Sequence, residues 1–188
     1  MVRAFAPTPL PPGTLDHLLE LGLHAPSAGF SQGWDYVVLE GPEQTARYWD
    51  ITLPADQRDR FPWVGLFDAP ALVIPLAHAQ AYVDRYAEPD KVDTGLGASA
   101  DDWPVPYWLV DTAMSSMLVL LGAVDEGLGA LFFGIFSHEA ELLDALGVPP
   151  GHQPIGTIAI GYRAPDRPSG SLRRGRRDLA EVVHRGGW

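Results

Sequence analysis

The residues whose types and spacing could do chemistry sit toward the two ends of the chain. Near the C-terminus, SLRRGRRD (Ser171–Asp178) carries Arg174 and Arg176 with one glycine between them. The protein as a whole is acidic, with 13 Lys and Arg against 24 Asp and Glu and a formal net charge of −11. Six of the cations (Arg167, Arg173, Arg174, Arg176, Arg177 and Arg185) are nevertheless held back for residues 167–188. Near the N-terminus, HAPSAGFSQGWDYVVL (His24–Leu39) places Pro26, Ser27, Ala28 and Gly29 in a loop straight after a helical pattern. Backbone N–H groups and a hydroxyl can face a ligand there, and Gln32 adds an amide that both donates and accepts. Each stretch also has a plainer reading: a solvated basic tail, and a helix–loop–strand connection around a buried Trp34.

Other chemistries are excluded or unsupported. There is no cysteine, which removes disulfides, thiolate catalysis and Cys-based metal sites. The six histidines are scattered, and HEAE at His138 lacks the second histidine of a zinc-binding helix, so the sequence assigns no metal ligand. The spacing of Gly127, Gly129 and Gly134 is wrong for G-x-G-x-x-G, and neither a P-loop nor a G-x-S-x-G elbow is present. Acidic bulk charge argues against nonspecific nucleic-acid binding; a small nucleic-acid arm made of the basic tail is the alternative, although that tail lacks interleaved aromatics. The N-terminus shows no basic-then-apolar leader pattern, and cytoplasmic residence is the expectation. The longest apolar stretch, Thr112–Val124, falls short of the roughly 20 residues of a bilayer span.

The elements that must position these residues follow from periodicity. At 188 residues the chain suits a single domain. Thr14 is the expected cap of a helix carrying Leu15, Leu18, Leu19 and Leu23, stopped at Ala25–Pro26 because a residue before proline resists the α region. Tyr36–Leu39 reads as a strand, Glu43–Asp50 as a polar helix, and Ala71–Ala77 as a strand that Pro75 assigns to an edge or ends early. Residues 78–108 mix charges, glycines, prolines and five aromatics, the composition of a lid inserted in the domain rather than of disorder. Asp111 is the expected cap of a helix over Thr112–Gly127, apolar nearly all round, which implies burial on every side and often a partner subunit. Ala130–Phe136 is extended, Ser137 caps a helix through Leu146, and Ile155–Tyr162 is the strongest strand before a short closing LAEVVH. Strands and helices intermix with irregular crossovers, so the fold class is α+β rather than doubly wound.

Taken in order, these segments resemble the nitroreductase family of FMN-dependent oxidoreductases. The matching stretches are Arg3–Ala4–Phe5, APSAGFSQGW at Ala25–Trp34, GLGALFFGIF at Gly127–Phe136, IGTIAIGY at Ile155–Tyr162, and RGRRDLAEVVH at Arg174–His184. They are collinear and span nearly the whole chain. The resemblance implies a central mixed, mainly antiparallel sheet flanked by helices, a homodimer, and FMN at the subunit interface. It assigns Arg174 and Arg176 to the FMN phosphate, a match that guanidinium geometry favours. It sets Arg3 near the N1–C2=O edge of the flavin, where a fixed cation favours the reduced anion. Pro26, Ser27, Ala28 and Gln32 then pack at the ring and ribityl chain, and Phe132, Phe133 and Gly134 lay backbone along the ring.

The activity so implied is transfer of hydride or electrons from NAD(P)H to a flat aromatic acceptor, a nitroarene or quinone, by a ping-pong route. The pocket's roof is expected from Trp103, Tyr107, Trp108 and Phe133, and no side-chain general acid is named. Phe30 and Gly33 depart from the family's usual asparagine and proline. Met1 falls where the family has the serine of an opening R-R-S motif, and an upstream in-frame start supplying Arg and Ser is the expectation. A flavin-binding protein without turnover, and a dehydrogenase or dehalogenase of the same fold, including one that uses a deazaflavin donor, stay open as alternatives.

Overall fold

The computed structural model describes residues 1–135 and 137–188. Its centre is a sheet of five strands: β1 (Trp34–Glu40), β2 (Ala71–His78), β3 (Gly129–Phe133), β4 (His152–Pro154) and β5 (Thr157–Gly161). The strands lie in the order β1-β2-β5-β3, with β4 also pairing β2, and every ladder between them is antiparallel. The helices are α1 (Thr14–Leu23), α2 (Pro42–Thr52), α3 (Ala55–Arg58), α4 (Ala79–Tyr86), α5 (Tyr107–Asp125) and α6 (Glu139–Ala145). This is the α+β arrangement that the sequence implies.

The strand sequences explain why helices cover both faces. β2, ALVIPLAH, is buried from Ala71 to Ala77, so both sides of its pleat need apolar cover. Leu72, Ile74 and Leu76 share one core with Leu39 and Leu131, and with Tyr48, Trp49 and Leu142 from α2 and α6. Ala71 and Val73 share the other with Ile158 and Ile160, and with Leu15, Leu18, Val119 and Ala123 from α1 and α5. Each large apolar side chain so buried contributes about 1.5–3 kcal/mol.

Several local expectations are corrected. Pro75 lies in a central strand, not at an edge. Its carbonyl accepts from the Ile155 N–H at 3.1 Å, and it sits between the last β5 pair, Val73 with Ile158, and the first β4 pair, Leu76 with Pro154. The N–H that proline lacks therefore falls at the junction between two partner strands. Thr14 is the first helical residue, and Gly13, in the left-handed region at φ 82°, precedes it as the cap. Ser137 does not cap α6, whose cap position is His138; the Ser137 hydroxyl donates instead to the Thr52 carbonyl at 2.7 Å. The stretch 78–108, expected as a lid, opens with α4 and continues through short 3-10 turns. Phe136, the end of the expected extended run, lies outside the described residues.

The long helix α5 departs most. It begins at Tyr107 rather than Thr112, so Asp111 lies inside it. Burial is one-sided: Thr112, Ser115, Ser116, Val119 and Ala123 face inward, while Met114, Met117, Leu121 and Val124 are exposed. Small residues let it approach α1 closely. A Cβ on Gly122 would lie 2.6 Å from Leu21 Cδ1, and Ser115 Oγ donates to the Gly22 carbonyl at 2.7 Å. With 19 residues and a mean hydropathy of 1.5, α5 is long and apolar enough by those measures to cross a membrane, yet its inner face belongs to the core under the sheet.

Candidate active site

The first residues of the chain are laced to the end of the sheet. Val2 N–H donates to Ala130 O at 3.1 Å, Ala6 N–H to Tyr162 O at 2.9 Å, and Ala164 N–H to Ala4 O at 3.0 Å. This lacing brings Arg3 beside the segment that leaves β5, which carries Arg163 and Arg167. The Arg3 guanidinium lies 5.0 Å from the centroid of the Trp63 ring, and that of Arg167 lies 4.7 Å from the same ring. Such contacts are worth about 0.5–1 kcal/mol each at exposed sites. Backbone and side-chain bonds fix them further: Arg3 N–H donates to Asp166 Oδ2 at 2.7 Å, and Arg167 Nη2 donates to Pro62 O at 2.9 Å.

A cavity of about 390 Å³ opens here, within the range typical of small-molecule sites. Phe132, Phe133 and Gly134 line it from the end of β3, Tyr48 and Trp49 from α2, and Arg3 with Trp63 from the loops. Its lining is aromatic: the Phe133 ring stacks on Trp49 at 5.9 Å with 5° between planes. Tyr48 meets Trp49 edge-on and accepts or donates a 3.0 Å hydrogen bond with Thr157 Oγ1. Burial pushes the Tyr48 hydroxyl up to about 12, against the pull of that bond, so it stays a neutral hydroxyl at physiological pH. Trp49 Nε1 is buried without a partner among the described residues. Two further hollows share lining residues with it: one of about 320 Å³ lined by Arg3, Arg163 and Arg167, and one of about 780 Å³ lined by Trp63, Arg167 and Arg173. A flat aromatic slot thus leads into a cationic region, in an otherwise acidic protein.

The loop after α1 is built elsewhere in the protomer and in a different manner. Asp111, 1% exposed on α5, accepts at Oδ2 from both the Ala28 N–H and the Tyr82 hydroxyl, each at 2.8 Å. Burial and the adjacent carboxylate hold the Tyr82 hydroxyl above the ordinary phenol range, so it remains a donor. Arg85 Nε donates to Gly29 O at 2.9 Å while its other nitrogens grip both oxygens of Asp90 at 2.7 Å. Inside the loop, Gln32 N–H donates to Ser27 Oγ at 3.0 Å. Phe30 and Gln32 take left-handed φ of 59° and 50°, a conformation that costs a non-glycine residue of order 1–3 kcal/mol. The departure at Gly33 has a steric cause: a Cβ there would lie 2.5 Å from Tyr82 Cε2, so the family's proline does not fit against Tyr82.

The structure therefore divides the sequence-predicted residues. Arg3, Phe132, Phe133 and Gly134 share the cavity. Pro26, Ser27, Ala28 and Gln32 belong to the loop that Asp111 and Arg85 hold. Trp103, Tyr107 and Trp108 cluster edge-on with one another and with Tyr82, on the loop's side of the molecule rather than against Phe133. Arg174 and Arg176 are exposed and line neither the cavity nor the two hollows. Sequence reasoning did not single out Asp111 as the loop's anchor, nor Trp49, Trp63 and Arg163. A buried acid on an apolar helix was the available signal for the first.

The comparisons agree with this architecture. Residues 1–162 match the family model described as the Nitroreductase family. A relative from Archaeoglobus fulgidus, described as an NADH dehydrogenase/NAD(P)H nitroreductase, is 21% identical over 164 residues, covering 86% of this chain and 79% of its own length. Among solved structures, a nitroreductase-like protein from Streptococcus mutans superimposes with a TM-score of 0.74 at 19% identity, covering 97% of this chain and 91% of the other. A nitroreductase from Exiguobacterium sibiricum, solved in complex with FMN, does so with a TM-score of 0.72 at 18% identity and the same coverage.

Proposed function

This chain belongs to the nitroreductase family, and on that premise we propose that it is an NAD(P)H-dependent flavin oxidoreductase that binds FMN. The carrying observation is the stacked aromatic cavity that holds Arg3 and adjoins the hollows lined by Arg163, Arg167 and Arg173. The residues fit the cofactor's chemistry: flat rings for its tricycle and cations for its phosphate. FMN supplies hydride acceptance from a nicotinamide and delivery to a second substrate admitted to the same pocket. Arg3 is the proposed cation at the pyrimidine edge, and Phe132, Phe133 and Gly134 the backbone alongside the ring. Arg174 and Arg176 are proposed to hold the phosphate; Arg167 and Arg173, from the same tail, line the hollows next to the cavity. A flat nitroarene or quinone suits the aromatic walls as acceptor. Purified protein mixed with FMN should retain a flavin absorption band through gel filtration, and NADH or NADPH should bleach it anaerobically. Protein that binds no flavin at micromolar concentration would sink the reading. The variant R174A/R176A should lose about a hundredfold in FMN affinity, read by fluorescence titration.

We further propose that the working unit is a homodimer in which the loop of one protomer meets the cavity of the other. Two exposed apolar surfaces support this: Met114, Met117, Leu121 and Val124 on α5, and Leu172, Leu179, Val182 and Val183 on the tail. Surfaces of this extent are unusual on a soluble monomer. Phe30, 73% exposed on a strained loop, gains a partner in the same way. Light scattering should return twice the 20.4 kDa chain mass; the single-chain mass at micromolar concentration overturns the proposal.

A further inference from the structure

At the corner where β1 begins, β2 ends and β4 runs alongside, three potential ligands meet that lie far apart in sequence. His78 directly faces His152 across the β2–β4 ladder, and Asp35 faces Leu76, two residues from His78 on the same strand. Because the pleat has a period of two, all three side chains project from one face. The two imidazoles stack with centroids 4.3 Å apart at 21°. One ligating atom from each of Asp35, His78 and His152 lies within 4.8 Å of the others.

The surroundings of His152 point to a cation. Its Nδ1 is 3.2 Å from the Pro149 carbonyl and its Nε2 is 3.1 Å from Asp35 Oδ2. Both neighbours are acceptors only, whereas a neutral imidazole carries one N–H. With the proton on Nδ1 and donated to Pro149 O, the Nε2 lone pair points at a carboxylate. A metal ion between them turns that repulsion into two bonds, and a backbone carbonyl on the far nitrogen is how ligating histidines are commonly oriented. Two imidazoles with one carboxylate suit a borderline transition ion over calcium or magnesium. The negative field of a chain at −11 draws cations to it.

We propose that Asp35, His78 and His152 form a zinc site, with water as the fourth ligand. Tetrahedral bonds of about 2.0–2.1 Å bring ligand atoms to about 3.4 Å from one another; Asp35 and His152 already meet that spacing, and rotation of the stacked His78 ring out of its near-parallel setting on His152 aims both imidazole lone pairs at one ion. Zinc there clips three strands together at the foot of the Ser27–Gln32 loop, because the His78 N–H donates to Gly33 O at 2.9 Å. The proposed effect is to tie the strands together, and it does not rest on the flavin reading.

The test uses the full chain, freed of metal by chelator dialysis and titrated with zinc against a chromophoric competitor. One zinc per chain should bind, with a rise in Tm, and cobalt should give the visible absorption of a tetrahedral site. D35N and H152Q each keep a hydrogen-bonding side chain, and each should weaken zinc at least tenfold and abolish the rise in Tm. H138A, which removes an exposed histidine paired with Glu141, should change neither. Native protein that takes up no zinc at sub-millimolar concentration overturns the site, leaving His152 and Asp35 as an ion pair. Unchanged affinity in D35N and H152Q overturns it equally.

Discussion

The cavity around Arg3 and the loop around Ala28 are both made of residues that the family resemblance picks out, but they are built on opposite principles. In the loop, neighbouring side chains hold the chain path: Asp111 takes the Ala28 N–H, Arg85 takes the Gly29 carbonyl, and Ser27 takes the Gln32 N–H. Those bonds hold two residues in left-handed conformations that neither would adopt alone. Beside the cavity, by contrast, Arg3 and Arg167 rest on the face of the Trp63 indole. One region is tied by hydrogen bonds to a buried acid, the other by rings and cations; each keeps one buried polar atom without a partner among the described residues, Asp111 Oδ1 and Trp49 Nε1.

The comparison breaks most sharply at Asp111. D111A leaves the Tyr82 hydroxyl and the Ala28 N–H buried without their acceptor, and should cost about 3 kcal/mol of stability in urea unfolding. The Ala28 amide should lose its hydrogen-exchange protection in the same variant. A cost under 1 kcal/mol would mean that the loop holds its shape without the anchor. Next in size is G33P, which restores the family's usual residue. The Tyr82 ring must move to admit the new Cβ, and overpacking of this kind should cost about 2 kcal/mol, read as a lower Tm. Neutral stability in G33P would remove the steric reason for glycine.

R3A probes the other side. It should leave urea stability within about 0.5 kcal/mol of the native chain while lowering FMN affinity about tenfold. A stability loss without an affinity loss would make Arg3 a strut like those of the loop. The smallest effect concerns Asp90. The Arg85 hydrogen bonds hold its carboxyl below the ordinary aspartate value of 3.8. The stabilisation is therefore present above that value and is lost as pH falls through the lower folded-state value. D90N should lower Tm slightly at pH 6, and the difference from the native chain should vanish under strongly acidic conditions. A difference that persists there would assign the effect to packing.

Much of this fold could be read from the sequence where the pattern is local. The unbroken apolar run of β2, the loop after α1 and the small-residue strand β5 all announce themselves within a few residues. What escaped depends on partners distant along the chain. Pro75 reads as an edge residue until two strands, β4 and β5, are seen to share one side of β2. Asp111 reads as a cap because an acid before an apolar run usually is one; only Tyr82 and Ala28, brought in by the fold, give it an interior role. The basic tail is conspicuous by composition, yet Arg163 and Arg167, which line the hollow shared with Arg3, stand out less than the exposed Arg174 and Arg176.

The lacing of residues 2–6 to residues 162–164 also sets the order of events during synthesis. Arg3 leaves the ribosome long before its neighbours Arg163 and Arg167. A nascent chain can pair β1 with β2 early, but it has no cationic hollow beside Arg3 until those later arginines have emerged. Loop-closing contacts of that span come late and limit folding rate. A product truncated before Arg163 therefore lacks that cluster of cations beside Arg3.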